Sequence, residues 1–153
     1  MSQSAPAGRI LALDVGDRRI GLAISDPLGI TAQPLQVLER ASDRAAIERI
    51  LEVARSYGVG EIVVGIPYRA HGELTAQGEK IARFADALAR RAAVPVVRWD
   101  ERHTTAMAER VLLEGDVSRA KRRQVRDKMA AVVLLQYYME ARARRGRDET
   151  GKQ

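Results

Sequence analysis

Cysteine is absent from this chain, which excludes disulfides, zinc–thiolate sites and thiol nucleophiles. Histidine is scarce: His71 and His103 are the only two, too few for a histidine-built metal centre. A metal bound here would be a hard cation held by carboxylates, Mg²⁺ or Mn²⁺. Aromatic residues make up 4% of the sequence and leave little for stacking against nucleobases. No apolar run is long enough to span a membrane, and the opening MSQSAPAGR lacks the apolar centre of a secretory signal. These absences predict a cytoplasmic protein with no membrane partner.

What remains is an ordinary globular composition, 46% apolar and 30% charged over 153 residues, enough for one core and not in need of a second. We expect a disordered N-terminal tail over 1–8, a single domain over 9–144 and a basic, polar C-terminal tail over 145–153. Between Ser118 and Arg147 there are ten Lys or Arg against two acids, a charge of +8 that leaves the rest of the +6 chain at −2. A basic stripe beside a slightly acidic body suits a polyanion, nucleic acid first. The residues that would hold its backbone are Arg119, Lys121, Arg122, Arg123 and Arg126; a solvated helix face is the plainer alternative.

Apolar runs at Ile10–Asp14 and Ile20–Ser25 read as a β-hairpin turning at Gly16–Arg19, and Thr31–Leu38 as a third strand that Pro34 confines to an edge. Ser42 or Asp43 caps a helix to Tyr57, stopped by Gly58 and Gly60. EIVVGIP reads as a buried parallel strand ended by Gly65 and Pro67. A polar loop, Tyr68–Thr75, follows, then a helix over Ala76–Ala92 and a strand in VVRWDE. Thr104 or Thr105 suits the cap of a helix to about Glu114, and Ser118 that of a last helix to about Arg144. The alternation of strand and helix predicts an α/β fold.

Acids abut apolar runs at three places: Asp14 after the first strand, Asp100 and Glu101 after VVRW, and Asp127 before MAAVVLL. An unpaired carboxylate there costs several kcal/mol, so each needs an arginine, backbone N–H groups or a cation. Converging, they could hold Mg²⁺ or Mn²⁺ and leave positions open for phosphate oxygens and water. In an extended strand Asp100 shares a face with Val96 and Arg98, and Glu101 shares one with Val97 and Trp99. Parity therefore admits one of the pair, and which face meets Asp14 is left open. Gly16 and Gly21 let a phosphate backbone come close, although they also suit a plain hairpin.

DVGDRRIGLAISD, VVGIP with a glycine loop after it, VVRWDERHTT followed by AERVLL, and DKMAAVVLLQYYME together resemble the YqgF family, also called RuvX. Its members are described as Holliday junction resolvases and as pre-16S rRNA nucleases. The resemblance runs from about Ile10 to Glu140. It implies a ribonuclease H-like fold: a five-stranded mixed sheet, first three strands antiparallel, with helices on both faces. It also implies metal-binding acids at Asp14, at the Asp–Glu pair of WDER and at Asp127, with Glu101 the first choice and Asp100 the second. Arg102, Thr104 and Thr105 would support the site, though both threonines equally suit a helix cap. The loop YRAHG, Tyr68–Gly72, departs from the family's usual small polar set with an acid. Arg69 and His71 there are candidate phosphate contacts or parts of a variable surface loop.

The function expected is metal-dependent hydrolysis of nucleic-acid phosphodiesters by Asp14, Glu101 and Asp127, on structured RNA such as the 5′ end of pre-16S rRNA in ribosome biogenesis. Branched DNA is the alternative substrate; resolving a four-way junction would need two active sites, so monomer and homodimer both stay open. A non-catalytic RNA-binding ribosome-assembly factor is the reading from another class. An actin-like or sugar-kinase-like phosphate binder is disfavoured by the chain's length.

Overall fold

In the computed structural model, residues 8–103 and 119–151 are described, with side chains described for 8–102 and 129–145. Strands β1 (Arg9–Val15), β2 (Arg19–Ser25) and β3 (Ala32–Glu39) form an antiparallel meander. Helix α1 (Asp43–Ser56) leads into β4 (Val59–Ile66), which pairs parallel to β1. Helix α2 (Ala76–Arg91) leads into β5 (Val96–Asp100), which pairs parallel to β4. A 3-10 turn, Glu101–His103, follows, and α3 (Arg119–Gly151) ends the described chain. The strand order is β3-β2-β1-β4-β5, one five-stranded mixed sheet.

Side-chain alternation splits the sheet into two apolar faces. Leu11, Leu13, Val15, Ile62, Val64 and Ile66 pack with α1 and α2 around Ile50, Phe84 and Leu88. Ile10, Ala12, Ala23 and Val63 meet Ala131, Val132, Leu134 and Leu135 of α3. Ser42 Oγ accepts from the Ala45 amide at 3.1 Å and Thr75 Oγ1 from Gly78 at 2.8 Å, starting α1 and α2 with side-chain caps. Gly58, at φ 65°, takes the left-handed position after α1. At the far end of the second face, buried Glu61 accepts from Tyr138 Oη–H at 2.7 Å and from Arg142 Nη1–H at 2.9 Å. This contact ties α3 to the start of β4.

Two expectations change, those for Gly65 and for the end of the last helix, and the edge position of Pro34 holds. Gly65 does not end its strand but lies within β4, paired with Trp99; only Pro67 stands outside. Pro34 is tolerated at edge strand β3 beside a register shift opposite Leu22/Ala23. The last helix does not stop near Arg144 but runs to Gly151, because the Ala, Arg and Glu around Gly146 are strong helix formers that outweigh one glycine. The expected N-terminal tail, the helix from Thr104 to Glu114 and the Ser118 cap lie outside the described residues.

Candidate active site

The second face of the sheet is bare around Asp14. Asp14 pairs with Gly21 across β2, and beyond the Leu13–Val64 pair the next residue of β4 is Gly65, itself paired with Trp99 of β5. Asp14 is thus flanked on both sides by residues without a side chain. A Cβ on Gly65 would lie 2.7 Å from Glu101 Oε1, 3.1 Å from its Cγ and 2.4 Å from Leu134 Cδ1. The Glu101 side chain therefore rests on the Gly65 backbone, under α3 and beside Asp14.

The two carboxyl groups are hydrogen-bonded to each other, and Glu101 is pushed up to about 7, first by burial, then by the Asp14 charge and that hydrogen bond, and last by the Asp100 charge. Two like charges at this separation cannot both ionise cheaply, so in the absence of a cation the pair holds a proton between them. Oxygen donors in this arrangement fit a hard divalent cation, which commonly takes one or two carboxylates and fills its remaining positions with water and phosphate oxygens. Among the described residues no three His, Asp or Glu side chains converge on such a site. Asp127 lies on α3, one turn before Ala131 and two before Leu134, and its side chain is outside the described residues.

Asp100 lies elsewhere. It points to the α2 face with Arg98, which pairs with Asp86 of α2. Asp100 Oδ1 accepts from the Arg102 amide at 2.9 Å, and both its oxygens accept from Arg102 Nε, at 3.0 and 2.9 Å. Arg102 Nη1 in turn donates to the carbonyl of Arg69 at 3.1 Å, and its Cζ stands 5.5 Å from the Tyr68 ring centroid. Asp100 and Arg102 together brace the Tyr68–Gly72 loop against the end of β5. Arg69 and His71 are exposed on that loop. Gln77 Nε2 of α2 donates to Asp17 Oδ1 at 3.2 Å, so the helix that follows the loop touches the β1–β2 turn. Gly16 closes that turn, its amide donating to the Arg19 carbonyl at 2.8 Å.

The model of the RuvX family, described as Holliday junction resolvase, matches residues 8–141. The chain belongs to the RuvX family. A relative named "Putative pre-16S rRNA nuclease" from Pelotomaculum thermopropionicum is 49% identical over 145 residues, covering 94% of each chain. One of the same name from Symbiobacterium thermophilum is 52% identical over 137 residues, 90% of this chain and 95% of its own. Among solved structures, T. thermophilus RuvC in complex with Holliday junction substrate aligns over 88% of this chain and 96% of its own, with a TM-score of 0.59 at 16% identity. That likeness shows a shared ribonuclease H-like fold.

Within this RuvX-family chain the structure brings Asp14 and Glu101 together and sets Asp100 apart with Arg102. Thr104 and Thr105 lie outside the described residues. Arg119, Lys121, Arg122, Arg123 and Arg126 occupy the first two turns of α3, and their side chains are likewise not described. Two residues escaped the sequence reading. Gly65 was visible as an isolated glycine within a buried apolar run, a known sign of close approach. Arg40, which donates from Nη1 to the Gly16 carbonyl at 2.8 Å, carried no periodic or motif signal.

Proposed function

We propose that this protein is a divalent-metal-dependent endonuclease that hydrolyses phosphodiesters of structured nucleic acid, with the 5′ end of pre-16S rRNA as its substrate. The observation that carries this reading is the Asp14–Glu101 pair, Asp14 near the end of β1 and Glu101 directly after β5, set side by side against Gly65 of β4. The names of relatives at 49% and 52% identity support the rRNA substrate.

In this reading Asp14 and Glu101 are ligands for Mg²⁺ or Mn²⁺, and Asp127 is the third. A bound cation supplies charge neutralisation for the scissile phosphate and an acidified water. The protein's own residues do the rest. To hold a cation, Asp14 and Glu101 would both have to be ionised, so binding would release the proton that otherwise favours Glu101. Gly21 leaves room for a phosphate backbone to lie against Asp14, while Gly65 seats the Glu101 side chain. The Asp100–Arg102 brace fixes the Tyr68–Gly72 loop at the rim, with Arg69 and His71 presented to solvent. Arg119–Arg126 on α3 hold the flanking backbone by charge. Cytoplasmic residence follows from an rRNA substrate, and among the described residues no helix is long and apolar enough to cross a membrane.

A four-way DNA junction is the second substrate reading, favoured by the family's description. The deciding experiment compares cleavage of precursor 16S rRNA and of a four-way junction with Mg²⁺, Mn²⁺ or EDTA, using wild type and Asp14→Asn. Metal-dependent cutting of the rRNA by wild type alone is the expected result. Cutting of the junction alone selects the second reading. RNA binding with no product on any substrate selects the assembly factor.

A further inference from the structure

The turn that follows Asp14 is held from the far side of the sheet. Arg40, directly after β3, donates its backbone N–H to the Arg18 carbonyl at 2.8 Å and Nη1–H to the Gly16 carbonyl at 2.8 Å. Its Nε and Nη2 both meet Asp43 Oδ1 at 2.9 Å, the first residue of α1. Its Cζ stands 5.1 Å from the ring centroid of Phe84 on α2, the chain's only phenylalanine. The Arg40 side chain is 13% exposed and that of Asp43 59%. A guanidinium is thus nearly enclosed between an aromatic ring, a helix N-terminus and a peptide carbonyl.

Enclosing that charge costs desolvation that an apolar side chain of the same length would avoid. What the apolar side chain lacks is a directed donor, and the donor points at Gly16. The Gly16 amide already donates to Arg19, and a Cβ on Gly16 would lie 2.8 Å from the same Arg19 carbonyl. With Arg40 on its carbonyl, both peptide groups of Gly16 are pinned, two residues after Asp14. Phe84 belongs to the core formed by Leu13 and Val15, whereas Asp14 between them points to the opposite face. Arg40 therefore reaches the turn from behind the carboxylates.

We propose that Arg40 is a positioning residue of the active site, orienting the β1–β2 turn and through it Asp14 without touching substrate. This rests on the reading of Asp14 as a metal ligand. Arg40→Met keeps the stem over Phe84 and the backbone bond to Arg18 and removes every side-chain donor. Arg40→Lys keeps the charge but cannot hold the Gly16 carbonyl and Asp43 in the same fork. Amide hydrogen exchange on the full chain reads the turn directly, and Mn²⁺ titration by calorimetry, with Asp14→Asn as reference, reads the site.

Losing one charge-assisted hydrogen bond should raise exchange at Gly16 and weaken Mn²⁺ binding, each by about tenfold in Arg40→Met, with Arg40→Lys in between and Ile50 of α1 unchanged. If Arg40→Met fails to fold, Arg40→Lys must show both changes at reduced size. Unaltered exchange at Gly16 overturns the proposal whatever the metal does. Faster exchange with unaltered Mn²⁺ affinity, in a protein whose affinity Asp14→Asn abolishes, reduces Arg40 to a structural prop and overturns the positioning role alone. Equal Mn²⁺ binding by wild type and Asp14→Asn overturns the reading of Asp14, and this proposal with it.

Discussion

A methyl group at position 65 has nowhere to go. Its Cβ would lie 2.4 Å from Leu134 Cδ1 and 2.7 Å from Glu101 Oε1, so both the Leu134 side chain and the carboxylate must give way, and the carboxylate leaves its seat. Gly65→Ala should therefore cost about 1–3 kcal/mol by overpacking and lower cleavage by about 100-fold, the scale of a misplacement of about 1 Å in a catalytic group. Urea unfolding beside single-turnover cleavage checks this; a folded Gly65→Ala that cleaves like wild type would show that Glu101 needs no fixed seat.

Glu101 also makes stability depend on pH. Its carboxyl sits at about 7 in the fold against an ordinary 4.5, so the folded state binds the extra proton. The contribution of Glu101 to the stability of metal-free protein should be full below about pH 4.5 and fall by up to about 3 kcal/mol as pH rises to about 7, with little further change above. Glu101→Gln, which keeps the hydrogen bond to Asp14 without the charge, removes this slope, and so should saturating Mn²⁺. Melting temperatures in EDTA and in Mn²⁺ between pH 4.5 and 8 measure it, each read as the difference between wild type and Glu101→Gln.

At the scale of the element, α3 covers the second face of the sheet, and its far half is anchored by Glu61. Burial first, and then the hydrogen bond to Glu61, raise the Tyr138 phenol well above its ordinary range, so the hydroxyl stays protonated and donating. Tyr138→Phe removes one hydrogen bond to a charged acceptor and should cost about 1.5–3 kcal/mol, read as a lower urea midpoint at unchanged slope. Glu61 lies four residues before Gly65 on the same strand, at the opposite end from Glu101, so cleavage below the melting range should be unchanged.

The elements themselves were largely legible. Turn glycines, the Ser42 cap, and apolar periods two and near 3.6 mark β1, β2, α1, β4 and α2, while the Thr75 cap of α2 emerged only in the structure; parity alone puts Glu101 with Trp99 and Asp100 with Arg98. What parity cannot supply is which of those faces Asp14 shares. That depends on the β1–β4–β5 register, a pairing of distant segments that no local pattern encodes. Gly65 and Arg40 were missed for the same reason: each is explained by a partner far along the chain.

The whole molecule divides its charge along α3. Ala131–Leu135 are buried against the sheet, while Arg119–Arg126 form the first two turns, before Asp127. A chain with +8 over one segment and −2 over the remainder concentrates its attraction for a polyanion in that segment, whereas Asp14 and Glu101 would repel one without a cation. Binding and cutting should then separate. Arg122→Glu with Arg123→Glu should weaken RNA binding at low salt and reduce the slope of log affinity against log salt by roughly one for each phosphate no longer neutralised. Asp14→Asn should leave that slope unchanged and, by removing a negative charge near the phosphates, bind at least as tightly as wild type in EDTA. Filter binding between about 50 and 200 mM salt tests both variants. An unchanged slope in the double variant would move the nucleic-acid surface off Arg122 and Arg123, with the exposed Arg69 and His71 of the Tyr68–Gly72 loop the next candidates.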